Sequence, residues 1–314
     1  MVLAVSIPTG YVLLTNEADT TADHYADRGA ALTNEADTTA DHYADRGAAM
    51  GEAFVEGSES VALRINGHSV TVAEFLEVRA EKSIGLERIE AILSRAVPDD
   101  DPAIENREWI EQCLNCYSRF FEDDSKKLPE SFVALFRPAY EVSQSYDVDV
   151  LTLARLLMKY TAYDAAVEAG YGMTSTEVQA AVAKDQYYYG KRGLTVSETD
   201  HRTGEAYQLF IDPDPELLAY IEAVGETKYW NEILPERKRV DGTVRKWLTA
   251  RNTVLRVQGV PSVEGANLQH YAELIKESAL EITGELEIDA TRDQALEFLV
   301  RKFRVDGYDI SLTP

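Results

Sequence analysis

Cys113-Leu114-Asn115-Cys116 sets two thiols at the spacing of a redox dithiol or of half a zinc site. A reactive pair of this kind follows a strand and opens a helix, whose N-terminus favours the thiolate. Here the motif follows Trp109 and Ile110 inside a helical pattern, so packing is the expected role. No second thiol pair completes a zinc site. Asp19, Asp23, His24 and Asp27 offer hard oxygen and imidazole ligands, but without the spacing of a calcium loop. Asp99-Asp100-Asp101 lies between Pro98 and Pro102 and reads as a solvated loop. The five histidines (His24, His42, His68, His201 and His270) are scattered, and His201 falls in the turn-like TDHRTGE. No nucleophile elbow, phosphate loop or dinucleotide fingerprint is present. The residues therefore predict no catalytic set, no metal site and no cofactor.

The other chemistry is apolar. Aromatic residues cluster at Phe120-Phe121, at Phe132 with Phe136 and Tyr140, at Tyr187-Tyr188-Tyr189, and at Tyr229-Trp230. Such side chains suit a surface that accepts varied apolar partners, although at helical spacing each one also suits a core. The tyrosine triplet reads as part of a strand. Consecutive strand residues face opposite ways, so at least one of the three is expected to be exposed.

These residues need a frame. Val61 to Ile65, Asn66-Gly67 and Ser69 to Thr71 predict a short strand pair with a tight turn. Thr71-Val72-Ala73-Glu74 is a capping box that opens a helix to about Leu93. Ile104 to Phe121 predicts a second helix, and Pro129 can start a third that runs to about Val142. Val148 to Ala169 carries Leu151, Ala154, Leu157, Met158, Ala162 and Ala165 at helical spacing, and Gly170 stops it. Thr174 to Glu177 is a second capping box. Residues 186–212 read as an inserted β-hairpin around Thr203-Gly204. Helices are then expected at Glu216 to Ala223, at Glu226 to Val257 with a kink at Pro235, at Val263 to Ile282 and at Arg292 to Phe303. Glu285 to Ile288 alternates like a strand. The fold class is thus mainly α, with a short N-terminal strand pair.

Leu14 to Ala31, LTNEADTTADHYADRGAA, is repeated letter for letter from Leu32 to Ala49. Gly29, Gly47 and the Thr-Thr pairs argue against a helix there. Residues 1–57 carry ten acidic and two basic side chains and are expected to form an acidic, mostly disordered arm. Met1 to Leu14 is apolar, but Pro8 and Gly10 interrupt it and it has no basic start. It is too short to span a membrane, which takes roughly 20 apolar residues. It reads as the tail of a truncated signal or as a loosely docked N-terminus.

The strand, Asn-Gly turn and capped helix of ALRINGHSVTVAEF, Ala62 to Phe75, resemble the opening of the SurA-like N-terminal domain of bacterial foldases and chaperones. The helix–Gly–capped-helix unit around AAVEAGYGMTSTEVQAAV, within Leu151 to Ala183, is similar to a second part of that family. So are Ile221 to Leu248, with its Tyr-Trp pair, and AELIKESALEI, Ala272 to Ile282, like the family's helix that returns to the N-terminal strand. The resemblance spans about residues 58–290, with 291–314 as a C-terminal helix and tail. Residues 99–147 and the hairpin depart from the family pattern.

The resemblance implies a non-catalytic chaperone of the cell envelope whose partners are unfolded or nascent polypeptides. The parvulin-type isomerase domain that often accompanies this fold is not found, so a prolyl isomerase with a degenerate catalytic domain is the enzyme alternative. A dedicated assembly factor for one partner is the third reading. Phe132, Phe136, Tyr140, Tyr187, Tyr188, Tyr189, Tyr229 and Trp230 are the candidate peptide-binding residues. The formal net charge of −24 in 314 residues repels phosphate backbones and anionic lipid headgroups, which argues against nucleic acid as a partner.

Overall fold

The computed structural model describes residues 36–104, 127–199, 204, 206–211 and 214–310, with side chains from Tyr43 onward. The first repeat copy, the CxxC pair, Phe120-Phe121 and His201 lie outside the described residues. So do the predicted helix from 105 to 121 and the apolar N-terminal stretch.

The chain is mainly helical with a few short strands. Helix α1 spans Ala36–Glu56. Strands β1 (Val61–Ile65) and β2 (His68–Thr71) pair antiparallel through the Asn66-Gly67 turn. Both turn residues have positive φ, 50° and 87°, as a two-residue hairpin of this hand requires. Helix α2 (Val72–Leu93) follows at once, with the Thr71 hydroxyl accepting from the Glu74 amide. Short strands β3 (Ala96–Val97) and β4 (Leu128–Pro129) pair in parallel. Helices α3 (Glu130–Val133) and α4 (Arg137–Gln144) replace the single helix expected from Pro129 onward.

Helix α5 (Val148–Glu168) is the centre of the molecule. Val150, Leu151, Leu153, Ala154, Leu156 and Leu157 are all buried, so the helix is apolar nearly all round, as an enclosed helix must be. Gly170, at φ 83°, ends it. Helix α6 (Ser175–Gly190) opens on the reciprocal Thr174–Glu177 capping box read in the sequence. The expected hairpin is formed by β5 (Thr195–Thr199) and β6 (Ala206–Phe210). Then come α7 (Pro215–Val224), α8 (Glu226–Lys228), α9 (Leu234–Val257) and α10 (Val263–Glu277). The kink expected at Pro235 takes the form of a widened π-turn over Tyr229–Ile233. A proline ring collides with the carbonyl four residues back, and the wider turn just before it relieves that collision.

After α10, β7 (Leu280–Ile282) pairs antiparallel with β1 and completes a three-stranded sheet in the order β2-β1-β7. The strand lies here, not at Glu285 to Ile288. Helix α11 (Arg292–Val305) closes the described chain with a Thr291–Gln294 capping box. The main core joins β1, β2, α2, α5, α9, α10 and α11. Smaller clusters sit under α3 and α4, between α6 and α7, and under the hairpin.

The N-terminal arm needs correction from Ala36 onward. From Ala36 to Ala49 the second repeat copy is helical, and its helix packs on α7 and α2. Gly47 and Gly51 explain this. A Cβ on Gly47 would lie 1.9 Å from the Glu216 carbonyl oxygen, and one on Gly51 would lie 2.6 Å from the Ala223 Cβ. The glycines that weaken the helix locally let two backbones approach closely, and tertiary contact overrides propensity. Arg46 reaches Glu216 at 3.3 Å, and Arg88 lies over the Tyr43 ring, 5.1 Å from its centroid.

Candidate binding cleft

Four helices leave a cleft between them. Helix α2 contributes Lys82, Leu86 and Ile89, at positions i, i+4 and i+7 of one face. Helix α4 contributes Ala139 and Ser143, one turn apart. Helix α5 supplies Leu151, Ala154, Arg155 and Met158, again one face. Helix α11 supplies Phe298, Leu299 and Lys302. The space is about 670 Å³, counting the open mouth. Its walls are mostly apolar. The Ser143 hydroxyl donates to the Ala139 carbonyl, so α4 absorbs that polar group itself.

Among the described residues, the cleft's charged groups are all cationic. Lys82 pairs with Glu81 at 3.2 Å. Burial pushes the Lys82 ammonium pKa down; the Glu81 charge opposes that, while Arg155 and Arg46 add to it. Burial also opposes ionisation of Glu81, but Lys82, Arg155 and Arg46 outweigh it and hold that carboxyl below its ordinary range. Lys302 approaches Asp306 at 3.5 Å. Burial raises the Asp306 pKa against the pull of Lys302.

The eight residues singled out from the sequence fall in other places. Phe132, Phe136 and Tyr140 are 5%, 2% and 7% exposed and form a small core with Ile89, Ile92 and Leu128. Phe132 and Phe136 meet edge to face, 5.2 Å between centroids. Tyr229 and Trp230 are buried, and Trp230 packs against both Tyr229 and Tyr189. None of these five offers surface to a peptide. The tyrosine triplet ends helix α6 and is not on a strand. Tyr187 is exposed, whereas Tyr188 and Tyr189 are half-buried. Their rings carry the chain's own cations: Lys191 over Tyr187, Lys184 over Tyr188 and Arg192 over Tyr189. Burial and the nearby Glu198 carboxylate push the Tyr188 phenol up to about 12. Exposed Leu194 and Phe210 lie on the adjoining hairpin.

Sequence reading missed a partly buried polar network on the other side of α2 and α5. The Glu74 side chain does not return to its cap. Instead it accepts from Lys159 at 2.8 Å and from the Tyr160 hydroxyl at 2.8 and 2.9 Å. Glu77 accepts from Arg237, which also donates to the Tyr220 hydroxyl at 2.7 Å. His68 is bonded to Asp164, with its ring stacked on Tyr160 at 5.5 Å. These groups satisfy one another and tie β2, α2, α5, α7 and α9 together, which is a structural role. The cleft itself had no motif, because it draws on faces of four helices far apart in the chain. Among the described residues, no group of three or more histidine, cysteine or acidic side chains is placed to hold a metal ion. No helix among them is long and apolar enough to cross a membrane.

No protein-family model matches the chain, and neither curated proteins nor solved structures give a match.

Proposed function

We propose that the protein is a non-catalytic holder of non-native polypeptide, and that the cleft between α2, α4, α5 and α11 is where it holds them. The observation that carries this reading is an open, mainly apolar cleft in a chain otherwise well supplied with acidic surface. Apolar contact with a client stabilises by about 25 cal/mol per Å² of buried surface, so a small cleft gives weak and reversible binding. The acidic exterior keeps the holder itself from associating. The pairing of β7 with β1 supports the SurA-like resemblance, in which the helix similar to Ala272 to Ile282 returns to the N-terminal strand, although here that helix stops at Glu277 and the pairing is made by the strand after it. That resemblance also implies a location in the cell envelope.

The test is aggregation of several unrelated, heat-unfolded clients with and without the protein. Protection of most of them is expected. Protection of none removes this reading, and protection of a single client favours a dedicated assembly factor. Ser143→Phe, at the half-buried rim, should fill the cleft and lower protection severalfold while leaving the thermal midpoint nearly unchanged.

A further inference from the structure

The cleft contradicts the charge of the molecule around it. The chain carries 55 acidic and 31 basic side chains, yet the cleft is lined by Lys82, Arg155 and Lys302, with no acidic residue in its walls among the described residues. We propose that this cleft receives the C-terminal end of a polypeptide, with an apolar last side chain on the Leu151–Met158–Leu299 floor and its α-carboxylate on Arg155 and Lys82. The proposal rests on the peptide-holding reading and names what the cleft selects.

Three observations support it. The first is size. The space of about 670 Å³ counts the open mouth, so its enclosed part is much smaller and takes one compact group at most. An extended segment threaded through would need a longer groove, so a chain end fits better than a chain middle. The second is charge complementarity. Glu81 is the carboxylate that faces both Lys82 and Arg155, so a second carboxylate entering the cleft meets a local excess of positive charge. The third is donor supply. Arg155 makes no hydrogen bond or salt bridge with the described residues, while Lys82 and Lys302 have Glu81 and Asp306 beside them. A guanidinium fork matches the two oxygens of a carboxylate, which an ammonium does not.

The test uses the full chain and fluorescence anisotropy of an N-terminally labelled decapeptide ending in Ala-Leu-Leu, as the free acid and as the C-terminal amide. The free acid is expected to bind about tenfold more tightly, the effect of one charge-assisted contact. Arg155→Gln should reduce that preference to about twofold while binding of the amide stays unchanged. Equal binding of acid and amide by the wild-type chain overturns the proposal and leaves the holding function standing. Binding of neither peptide by a chain that still protects clients places the holding surface elsewhere and also overturns it. Dodecanoate binding in place of both peptides overturns it in favour of a lipid carboxylate. If the wild-type chain protects no client, the parent reading fails, and the anisotropy result then stands by itself.

Discussion

Glu77 on α2 and Arg237 on α9 form a partly buried ion pair between residues 160 positions apart. Burial raises the Glu77 pKa, and Arg237 opposes that rise. Burial lowers the Arg237 pKa in turn, but the Glu77 charge outweighs it and the guanidinium ends above its usual range. Neither group is cheap to bury alone. Glu77→Ala should therefore destabilise the fold by about 1–3 kcal/mol, because it leaves the arginine without its carboxylate. The double variant Glu77→Leu with Arg237→Met should recover most of that loss. Urea unfolding midpoints of the three chains check both statements. Equal midpoints for Glu77→Ala and the wild type would show that the pair contributes nothing.

Gly47 faces the Glu216 backbone with no room for a side chain. Gly47→Val should separate α1 from α7 and cost about 1–3 kcal/mol, the range for overpacking. Amide hydrogen exchange should then rise through Ala36–Glu56 and Pro215–Val224 and stay unchanged in α5. Unchanged exchange in α1 would mean that this helix is not held by its contact with α7.

Glu177 joins two devices at once: it caps α6 through Thr174 and pairs with Lys246 of α9. The Lys246 contact, followed by the bonds from Thr174, lowers its carboxyl pKa from 4.5 to about 2. A folded-state pKa below the unfolded one means stability that is present in full above 4.5 and lost as pH falls through about 2. The Glu177→Gln chain should lack this part of the acid sensitivity, so its stability-versus-pH curve should be flatter than the wild type's in that window. Parallel curves for the two chains would exclude the assignment.

Local signals in the sequence were strong enough to place most elements. Thr71 and Thr174 fixed two helix starts, Asn66-Gly67 fixed a turn, and Gly170 fixed a stop, because each acts through its immediate neighbours. Three things were not local. Gly47 looked like a helix breaker, since the Glu216 backbone that rewards it lies far along the chain. The triplet Tyr187 to Tyr189 looked like strand by composition, but continuation of α6 decided it. Phe132, Phe136, Tyr229 and Trp230 were singled out for size and aromaticity, the same properties that send residues into cores. The cleft was illegible for a related reason. Its lining is ordinary on each helix, and only the packing of α2, α4, α5 and α11 makes a concave surface of it.

The pairing of β7 with β1 also sets an order of events during synthesis. Arg64 and Glu281, opposite each other in this sheet, are 217 positions apart. At about 5–20 residues per second, β1 leaves the ribosome roughly 10–40 s before its second neighbour exists. Through that interval one edge of β1 has only solvent, or another chain, to pair with. A protein proposed to shelter incomplete polypeptides is thus itself one whose central strand waits, half-paired, for a neighbour made more than two hundred residues later.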